Sequence, residues 1–248
     1  MNTIEKGNRI PALPYKVSDF EQQYLEVRKK EQRYYTNDQI TSLPDISDEH
    51  PHYAEWQFRK KSCNRLVAYL KKAKMPINIL EVGCGNGWLS SKMADVENTT
   101  VTGVDINAME LKQGSIVFKH KRNLYFQYGD IRDGMFENQK FDIIVFAASV
   151  QYFPSLSQIL QKTFGLLTQG GEIHILDSPL YGDGETIAAK ERTKSYYQSL
   201  GFPSMEAFYF HHALSDLKPF NFKIMFNPFS ITNKLLRKHD PFYWISIP

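Results

Sequence analysis

The sequence is poor in cysteine and almost balanced in charge, and each shortage excludes a class of protein. It holds 2 cysteines, Cys63 and Cys84, among 248 residues, which argues against a disulfide scaffold and against a cysteine-rich zinc site. Its 30 Lys and Arg against 27 Asp and Glu give a formal net charge of +3. Dedicated nucleic-acid-binding domains carry a much stronger basic excess, so the charge argues against a nucleic-acid partner.

Long apolar runs are also missing. The most apolar stretch, residues 141–153, is interrupted by Asp142 and Gln151 and is shorter than the roughly 20 residues that a membrane-spanning helix needs. Residues 1–6 lack the apolar core of a signal peptide. We therefore expect no membrane span and a cytoplasmic location.

Aromatic and apolar residues, by contrast, are plentiful. Aromatic residues make up 14% of the chain and apolar residues 42%, which excludes disorder of the whole chain. A chain of 248 residues is long enough to bury a substantial core without disulfides or metals.

Short apolar runs alternate with helical patterns along the middle of the chain, which predicts βαβ units and a mostly parallel sheet. Ser18 and Glu21 form a capping-box pattern that predicts the start of an early helix, and Gly170-Gly171 predicts the end of a late one. The predicted segments are an N-terminal arm and helical lid (1–74), an α/β core (75–180), an insertion (181–220) and C-terminal strands that complete the sheet (221–248).

The most informative feature is a glycine-rich turn after the first core strand. Gly83, Gly85 and Gly87 let a backbone turn sharply and approach a ligand, and the next helix offers free amides to an anionic group. A dinucleotide-binding fingerprint would place its third glycine at position 88, which is Trp88. The Gly-Lys-Ser/Thr of a phosphate-binding P-loop is also absent.

Four further motifs follow this turn in order. They are Asp105 at the end of the second strand, Gly129-Asp130 after the third, the apolar run from Phe141 to Ser149, and Gly170-Gly171 before the fifth. Together with the acidic Glu81 before the glycines, they resemble the class I S-adenosylmethionine-dependent methyltransferases over about residues 75–180. The resemblance implies a Rossmann-like, seven-stranded, mostly parallel sheet with helices on both faces and an antiparallel last strand.

The resemblance also implies S-adenosylmethionine as the cofactor and assigns residues to it. Asp105 would accept the ribose hydroxyls, Asp130 the adenine amino group, and Glu81 would lie near the methionine ammonium group, with Arg59 a candidate for its carboxylate. The expected cofactor residues are Arg59, Glu81, Gly83, Cys84, Gly85, Gly87, Asp105, Ile106, Asn107, Asp130, Ile131, Phe146 and Ala147.

Several of these residues also have an ordinary structural explanation. Asp105 and Asp130 could be turn residues, and Arg59 could be a solvated member of a basic run. Cys84 is interpreted as a small turn residue, because no basic partner that would activate a thiol is identifiable.

The motifs identify the cofactor and leave the acceptor open. The Asn/Asp-Pro-Pro-Tyr/Phe signature of amino methylation on bases is absent after the fourth strand, as is the glutamate pair of the protein-arginine branch. What remains is methylation of oxygen or nitrogen on a small-molecule or carrier-linked acceptor. The expected substrate residues are Ser149, Gln151, Tyr152, Arg192, Tyr196 and His211.

No catalytic residue is assigned from the sequence. His211 or His212 could act as a base near neutral pH, although lone histidines are more often surface residues or hydrogen-bonded residues of the core. No spacing resembles a metal-ligand set. Basic runs keep a transfer-RNA substrate as a minor option, and a non-catalytic relative of the fold that binds a protein or RNA is the other alternative.

Overall fold

The computed structural model describes residues 7–8, 10, 18–231, 233 and 240–248. The predicted N-terminal arm lies almost entirely outside these residues. The helices are α1 (Asp19–Lys30), α2 (Asn37–Ser42), α3 (Tyr53–Leu70), α4 (Trp88–Ala94), α5 (Ala108–Val117), α6 (Leu156–Phe164) and α7 (Glu185–Leu200). The strands are β1 (Ile77–Val82), β2 (Thr99–Asp105), β3 (Leu124–Tyr128), β4 (Phe141–Ala147), β5 (Leu167–Leu176), β6 (Leu180–Tyr181), β7 (His212–Ala213), β8 (Lys223–Phe226) and β9 (Trp244–Ile247).

Seven strands form one sheet in the order β3-β2-β1-β4-β5-β9-β8. The first five pair in parallel, whereas β9 lies antiparallel between β5 and β8. This confirms the predicted sheet and its antiparallel last strand. The strand order reverses direction between β1 and β4, which is where sheets of this kind bind ligands at their carboxyl ends.

Apolar side chains cover both faces of the sheet. On one face, Trp56 of α3 and Leu89 of α4 pack with Ile79 and Val101. On the other, Leu160 of α6 belongs to the cluster built around β4 and β5. Burial on both faces explains why the central strands are continuously apolar in sequence.

The end of α6 differs from the prediction. The helix ends at Phe164 with Gly165 as its cap, and Gly170-Gly171 lies inside β5. The strand begins early because Leu167 already pairs with Phe141, and an irregular register after that pair accommodates the glycines.

Residues 18–74, the N-terminal segment, and residues 181–220, the insertion, meet above the carboxyl edge of the sheet. Val27 of α1 packs with Tyr197 of α7 and with Met205. The insertion also contains the two-stranded sheet β6-β7. Among the described residues, no helix has the length and apolar character needed to cross a membrane.

Candidate functional site

Two adjoining cavities lie over the glycine turn at the carboxyl edge of the sheet. The aromatic cavity, about 520 Å³, is named for Tyr24, Tyr35, Tyr152, Tyr181, Tyr196, Tyr197 and Tyr209 in its wall. The acidic cavity, about 480 Å³, is named for Glu21, Asp105, Asp130 and Asp133. The two share Tyr24, Gly83, Gly85, Ala148 and Tyr152, so one elongated ligand can extend through both.

The glycine turn has a backbone that side chains would disrupt. Gly83, Gly85 and Gly87 have φ of +75°, +53° and +74°, in the left-handed region that favours glycine. A Cβ at Gly83 would lie 2.5 Å from the Ser149 Cβ, and one at Gly87 would lie 2.3 Å from the Phe126 ring. The missing side chains leave the turn open at the junction of the two cavities.

Asp105 connects the turns that follow β1 and β2. One of its carboxylate oxygens accepts from the Gly85 amide at 2.7 Å and the other from the Asn107 amide at 2.8 Å. Burial raises the pKa of this carboxyl, although the amide hydrogen bonds act in the opposite direction. Asp105, Ile106 and Asn107 line the acidic cavity together, which is the placement that a ribose-binding carboxylate requires.

Asp130 lies across the acidic cavity and is already paired. The Arg132 Nε donates to both of its oxygens at 2.9 Å. Burial opposes ionisation of Asp130, but the bonds from Arg132 outweigh it, so the pKa lies below its ordinary value. Asp130 and the neighbouring Ile131 line the same cavity as Asp105.

Two carboxyl groups flank the glycine turn on the aromatic side. Burial raises the pKa of Glu81 to about 8, although the Ser90 hydroxyl donates to it. Burial likewise raises the pKa of Glu110 to about 7. Burial also raises the pKa of the Cys84 thiol, the opposite of what a nucleophilic cysteine needs.

The structure brings together most of the predicted cofactor residues. Phe146, which is fully buried in β4, and Gly87 line neither cavity. The predicted cofactor residues that line the aromatic cavity are Arg59, Glu81, Gly83, Cys84, Gly85 and Ala147. The predicted cofactor residues that line the acidic cavity are Gly83, Gly85, Asp105, Ile106, Asn107, Asp130 and Ile131.

The predicted substrate residues divide into two groups. Gln151, Tyr152, Arg192 and Tyr196 line the aromatic cavity. Ser149 lines the acidic cavity and donates to the Val82 carbonyl at 2.6 Å, so it also supports the glycine turn.

His211 lies outside both cavities. It is hydrogen-bonded to the Thr193 hydroxyl at 2.8 Å. His212 is buried, and its Nε2 lies 3.1 Å from the Val150 carbonyl oxygen. Neither histidine lines either of the two cavities, although His211 contacts Thr193, which lines the aromatic one.

Sequence reasoning missed several charged residues of the aromatic cavity, among them Arg28, Glu110 and Asp177. Arg28 of α1 lines it, and its Nε has no hydrogen-bond partner among the described residues. Its position one helical turn after Tyr24 was the available signal, because residues at i and i+4 share a helix face. Asp177, just after β5, also lines the cavity and had no motif to mark it.

Arg59, which was predicted, has partners of its own. Its Nε lies 3.2 Å from a Glu55 carboxylate oxygen, and its guanidinium lies 5.2 Å from the Trp56 ring centroid. Within the part of the chain that the structure describes, no cluster of three or more His, Cys, Asp or Glu could hold a metal ion.

Comparison with known proteins decides the family. Residues 73–218, more than half of the chain, match the family model described as a methyltransferase domain. The chain belongs to the class I S-adenosylmethionine-dependent methyltransferases. The cofactor of this methyltransferase domain is therefore S-adenosylmethionine, and the resemblance found in the motifs is confirmed.

Curated relatives of the methyltransferase differ in what they act on. A malonyl-[acyl-carrier protein] O-methyltransferase of Acetivibrio thermocellus is 30% identical over 146 residues, 56% of this chain and 50% of that protein. A tRNA U34 carboxymethyltransferase of Campylobacter fetus is 28% identical over 157 residues, 62% of this chain and 54% of that protein. The chain thus spans about half the length of the curated relatives it matches.

Solved structures share the fold at low sequence identity. A geranyl diphosphate C-methyltransferase from Streptomyces coelicolor superposes with a TM-score of 0.58 at 11% identity, covering 94% of this chain and 98% of that one. A putative S-adenosylmethionine-dependent methyltransferase from Methanococcus maripaludis gives 0.54 at 13% identity, covering 95% and 96%.

Proposed function

We propose that this methyltransferase transfers a methyl group from S-adenosylmethionine to an oxygen or nitrogen atom of a small or carrier-linked metabolite. The observation that carries the proposal is the pair of cavities joined at Gly83, Gly85 and Ala148. The acidic cavity has the size and carboxylates for an adenosine group, and the aromatic cavity has room for the methionine group and an acceptor.

The residues present fit the cofactor. The bare glycine backbone leaves space for it, and Asp105 offers a carboxylate where hydroxyl groups would lie. When bound, the cofactor supplies an activated methyl group, and the protein's part is to align donor and acceptor. A cationic cofactor would favour the ionised forms of Glu81 and Glu110, and the carboxylates of the acidic cavity would add to the favourable electrostatic environment.

The aromatic cavity supports an acceptor of metabolite size. Its tyrosine rings offer apolar area together with hydroxyl groups. Gln151 adds one polar atom with no partner: its Nε2 donates to the Ala148 carbonyl at 2.7 Å, while its buried Oε1 has no hydrogen-bond donor in the described chain. That oxygen suits an O–H or N–H group of the acceptor, and the O-methyltransferase relative acts on a carrier-linked compound.

The test begins with the cofactor. Calorimetric titration with S-adenosylhomocysteine, the demethylated product, should give micromolar binding at one site per chain. Labelled S-adenosylmethionine is then offered with small-molecule acceptors, acyl-carrier-protein thioesters and transfer RNA in parallel. Label on a small or carrier-linked acceptor supports the proposal, and label only on transfer RNA contradicts it.

Transfer RNA is the second candidate, because a relative at 28% identity is named as a tRNA U34 carboxymethyltransferase. The small net charge of +3 weighs against it.

A cytoplasmic location is part of the main proposal and is supported by two free, buried cysteines, which suit a reducing compartment.

A further inference from the structure

We propose that Asp177 is the catalytic base of this methyltransferase and removes the proton from the acceptor atom that is methylated. The inference rests on the proposed function and names a residue for the step that it left unassigned. Three features of Asp177 support it: its place in the sheet, its unpartnered Oδ1 atom, and the charged groups around it.

Asp177 follows the strand next to the junction of the two cavities. Ala147 of β4 pairs with Leu176 of β5, and the Ala148 amide donates to the Leu176 carbonyl at 3.0 Å. Since Ala148 lines both cavities, Asp177 stands one strand away, roughly 4.8 Å in the hydrogen-bonding direction, from their junction. Asp177 lines the aromatic cavity but not the acidic cavity, and it lies on the side of the junction away from β1.

A cofactor that spans both cavities carries its reactive centre at that junction. The acceptor must therefore approach from the side of the aromatic cavity that adenosine does not fill. The end of β5 is on this side, whereas Glu81 on β1 lies beneath the glycine turn. The order of the strands in the sheet thus places the Glu81 carboxylate on the cofactor side and the Asp177 carboxylate on the acceptor side.

The Asp177 carboxyl has an oxygen free to accept a hydrogen bond. The residue is 5% exposed, and its Oδ1 has no hydrogen-bond partner within the described chain. A buried acceptor without a donor is unfavourable, so the arrangement is explained if an O–H or N–H group of the acceptor completes it.

The charged groups around Asp177 leave it able to take a proton near neutral pH. Burial raises its pKa to about 6, against opposing effects of Arg59, Ser62 and Arg65 from α3, while Asp240 raises it further. Arg59 is paired with Glu55 and Arg65 with Asp240, so neither cation is committed to Asp177. At pH 7 the carboxyl is mostly ionised and acts as an acceptor rather than a donor.

A lone pair on the acceptor oxygen or nitrogen forms a bond to the methyl carbon. The carbon–sulfur bond breaks, its electron pair stays on sulfur, and S-adenosylhomocysteine results. The proton of the acceptor O–H or N–H moves to Asp177 Oδ1, and solvent removes it after product release.

The test needs no identified acceptor. In the analogue sinefungin, a carbon that bears an amino group replaces the methylated sulfur, so its ammonium group probes the place of the transferred methyl. At pH 8 we expect wild-type protein to bind sinefungin about tenfold or more tightly than S-adenosylhomocysteine, the range of a charge-assisted hydrogen bond. Asp177→Asn should reduce the preference to near equality while leaving the affinity for S-adenosylhomocysteine within about twofold.

The control is Glu191→Gln, which removes an exposed carboxylate of α7 and should keep the preference. An unchanged preference for sinefungin in Asp177→Asn overturns the proposal. An equal loss of affinity for sinefungin and S-adenosylhomocysteine also overturns it, because the carboxylate would then bind the ammonium group of the cofactor's methionine part. Should the variant not fold, the wild-type preference must still fall as pH drops through about 6. Wild-type protein that binds neither ligand would instead contradict the proposed function.

Discussion

At the residue scale, Asp105 supports the fold with its carboxylate, and we propose that the same carboxylate binds the cofactor's ribose. It accepts from two backbone amides while facing the acidic cavity. Asp105→Ala should weaken S-adenosylhomocysteine binding at least a few-fold, because ribose hydroxyls lose a charged acceptor. Calorimetry measures the change, and Asp95→Ala, which removes a carboxylate paired with Lys121 at the surface, is the control. Unchanged affinity in a folded Asp105→Ala protein would show that Asp105 is misassigned.

Arg28 is a stronger candidate than Arg59 for the carboxylate of the cofactor. Its guanidinium Nε has no partner in the described chain, whereas Arg59 already pairs with Glu55. Arg28→Gln should therefore weaken S-adenosylhomocysteine by about tenfold, and Arg59→Gln by less. Lys29→Gln, at the next and exposed position of α1, controls for the loss of a positive charge. A larger effect at Arg59 would restore the assignment made from the sequence.

A substitution at Gly87 tests whether a side chain in the turn is disfavoured by steric contact as well as by backbone conformation. Gly87→Ala would place a Cβ against the Phe126 ring at a φ of +74°. Gly170→Ala meets nothing within 4 Å at a φ of +81° and is a matched control for backbone strain. We expect Gly87→Ala to lower the free energy of unfolding by about 1–3 kcal/mol more than Gly170→Ala. Equal losses in chemical denaturation would show that the ring moves aside.

At the scale of elements, α1 is held over the cofactor cavities by a contact between distant parts of the chain. Glu21, which is fully buried, accepts from the Ala108 amide at the start of α5 at 2.9 Å. Because this carboxylate lies at a helix N-terminus, the bond is favourable. α1 supplies Tyr24 to both cavities, so its position decides how closed they are.

Glu21→Gln should loosen α1 without unfolding the core. We expect faster amide hydrogen exchange over residues 19–30 and several-fold weaker S-adenosylhomocysteine binding. The magnitude follows from a loss of about 1 kcal/mol for a charge-assisted bond at a helix end. Glu26→Gln, on the exposed face of the same helix, should change neither quantity, and exchange in Glu21→Gln matching the control would contradict the role.

These elements show where the sequence was informative and where it was not. β3 ends at Tyr128, directly before Gly129 as predicted, and β4 begins at Phe141, where the predicted apolar run begins, because apolar runs between turn residues mark buried strands. None of the sequence patterns described above predicted the helix α2, although Thr36 and Gln39 form a capping box. Glu21 was taken for a capping-box partner of Ser18, yet its carboxylate reaches Ala108, 87 residues away.

The candidate site residues divide in the same way. Glu81, Asp105 and Asp130 belong to local motifs whose spacing is fixed by one strand and its turn. Arg28 and Asp177 reach the cavity because α1 and the end of β5 pack around it. No local pattern records that packing, so a single sequence did not reveal these two residues.

At the scale of the whole molecule, buried carboxyls beside the glycine turn make stability depend on pH. Burial raises the pKa of Glu81 to about 8 in the folded chain, against an ordinary value of about 4.3. Between these values the folded state holds a proton that the unfolded state has lost. The contribution of Glu81 to the free energy of unfolding therefore falls as pH rises through this window and levels off above about 8. Burial lowers the pKa of His50, His211 and His212. These histidines make the free energy of unfolding rise with pH, but only below about pH 6.5, the ordinary histidine pKa.

The window from pH 7 to pH 8 therefore isolates the carboxyls, because burial also raises the pKa of the Cys63 and Cys84 thiols, whose effect on stability begins near the ordinary cysteine pKa of about 8.5. The melting temperature of the cofactor-free protein should fall across it, by about 2–4 °C for each kcal/mol lost. Glu81→Gln should flatten most of this slope, and Glu110, whose pKa is about 7, should account for a smaller part at its lower end. A slope unchanged in Glu81→Gln would place the responsible group elsewhere.

Cofactor binding should reverse the protonation of Glu81. An ammonium group near this carboxylate favours its ionised form, so binding at pH 7 releases a proton into solution. The affinity for S-adenosylhomocysteine should then rise with pH between about 6.5 and 8, by at most tenfold per pH unit. Calorimetry in buffers of different ionisation enthalpy counts the released proton directly. Glu81→Gln should bind with little pH dependence, since an amide has no proton to lose. Proton release that persists in this variant would mean that Glu110 or Asp177 is the group that titrates on binding.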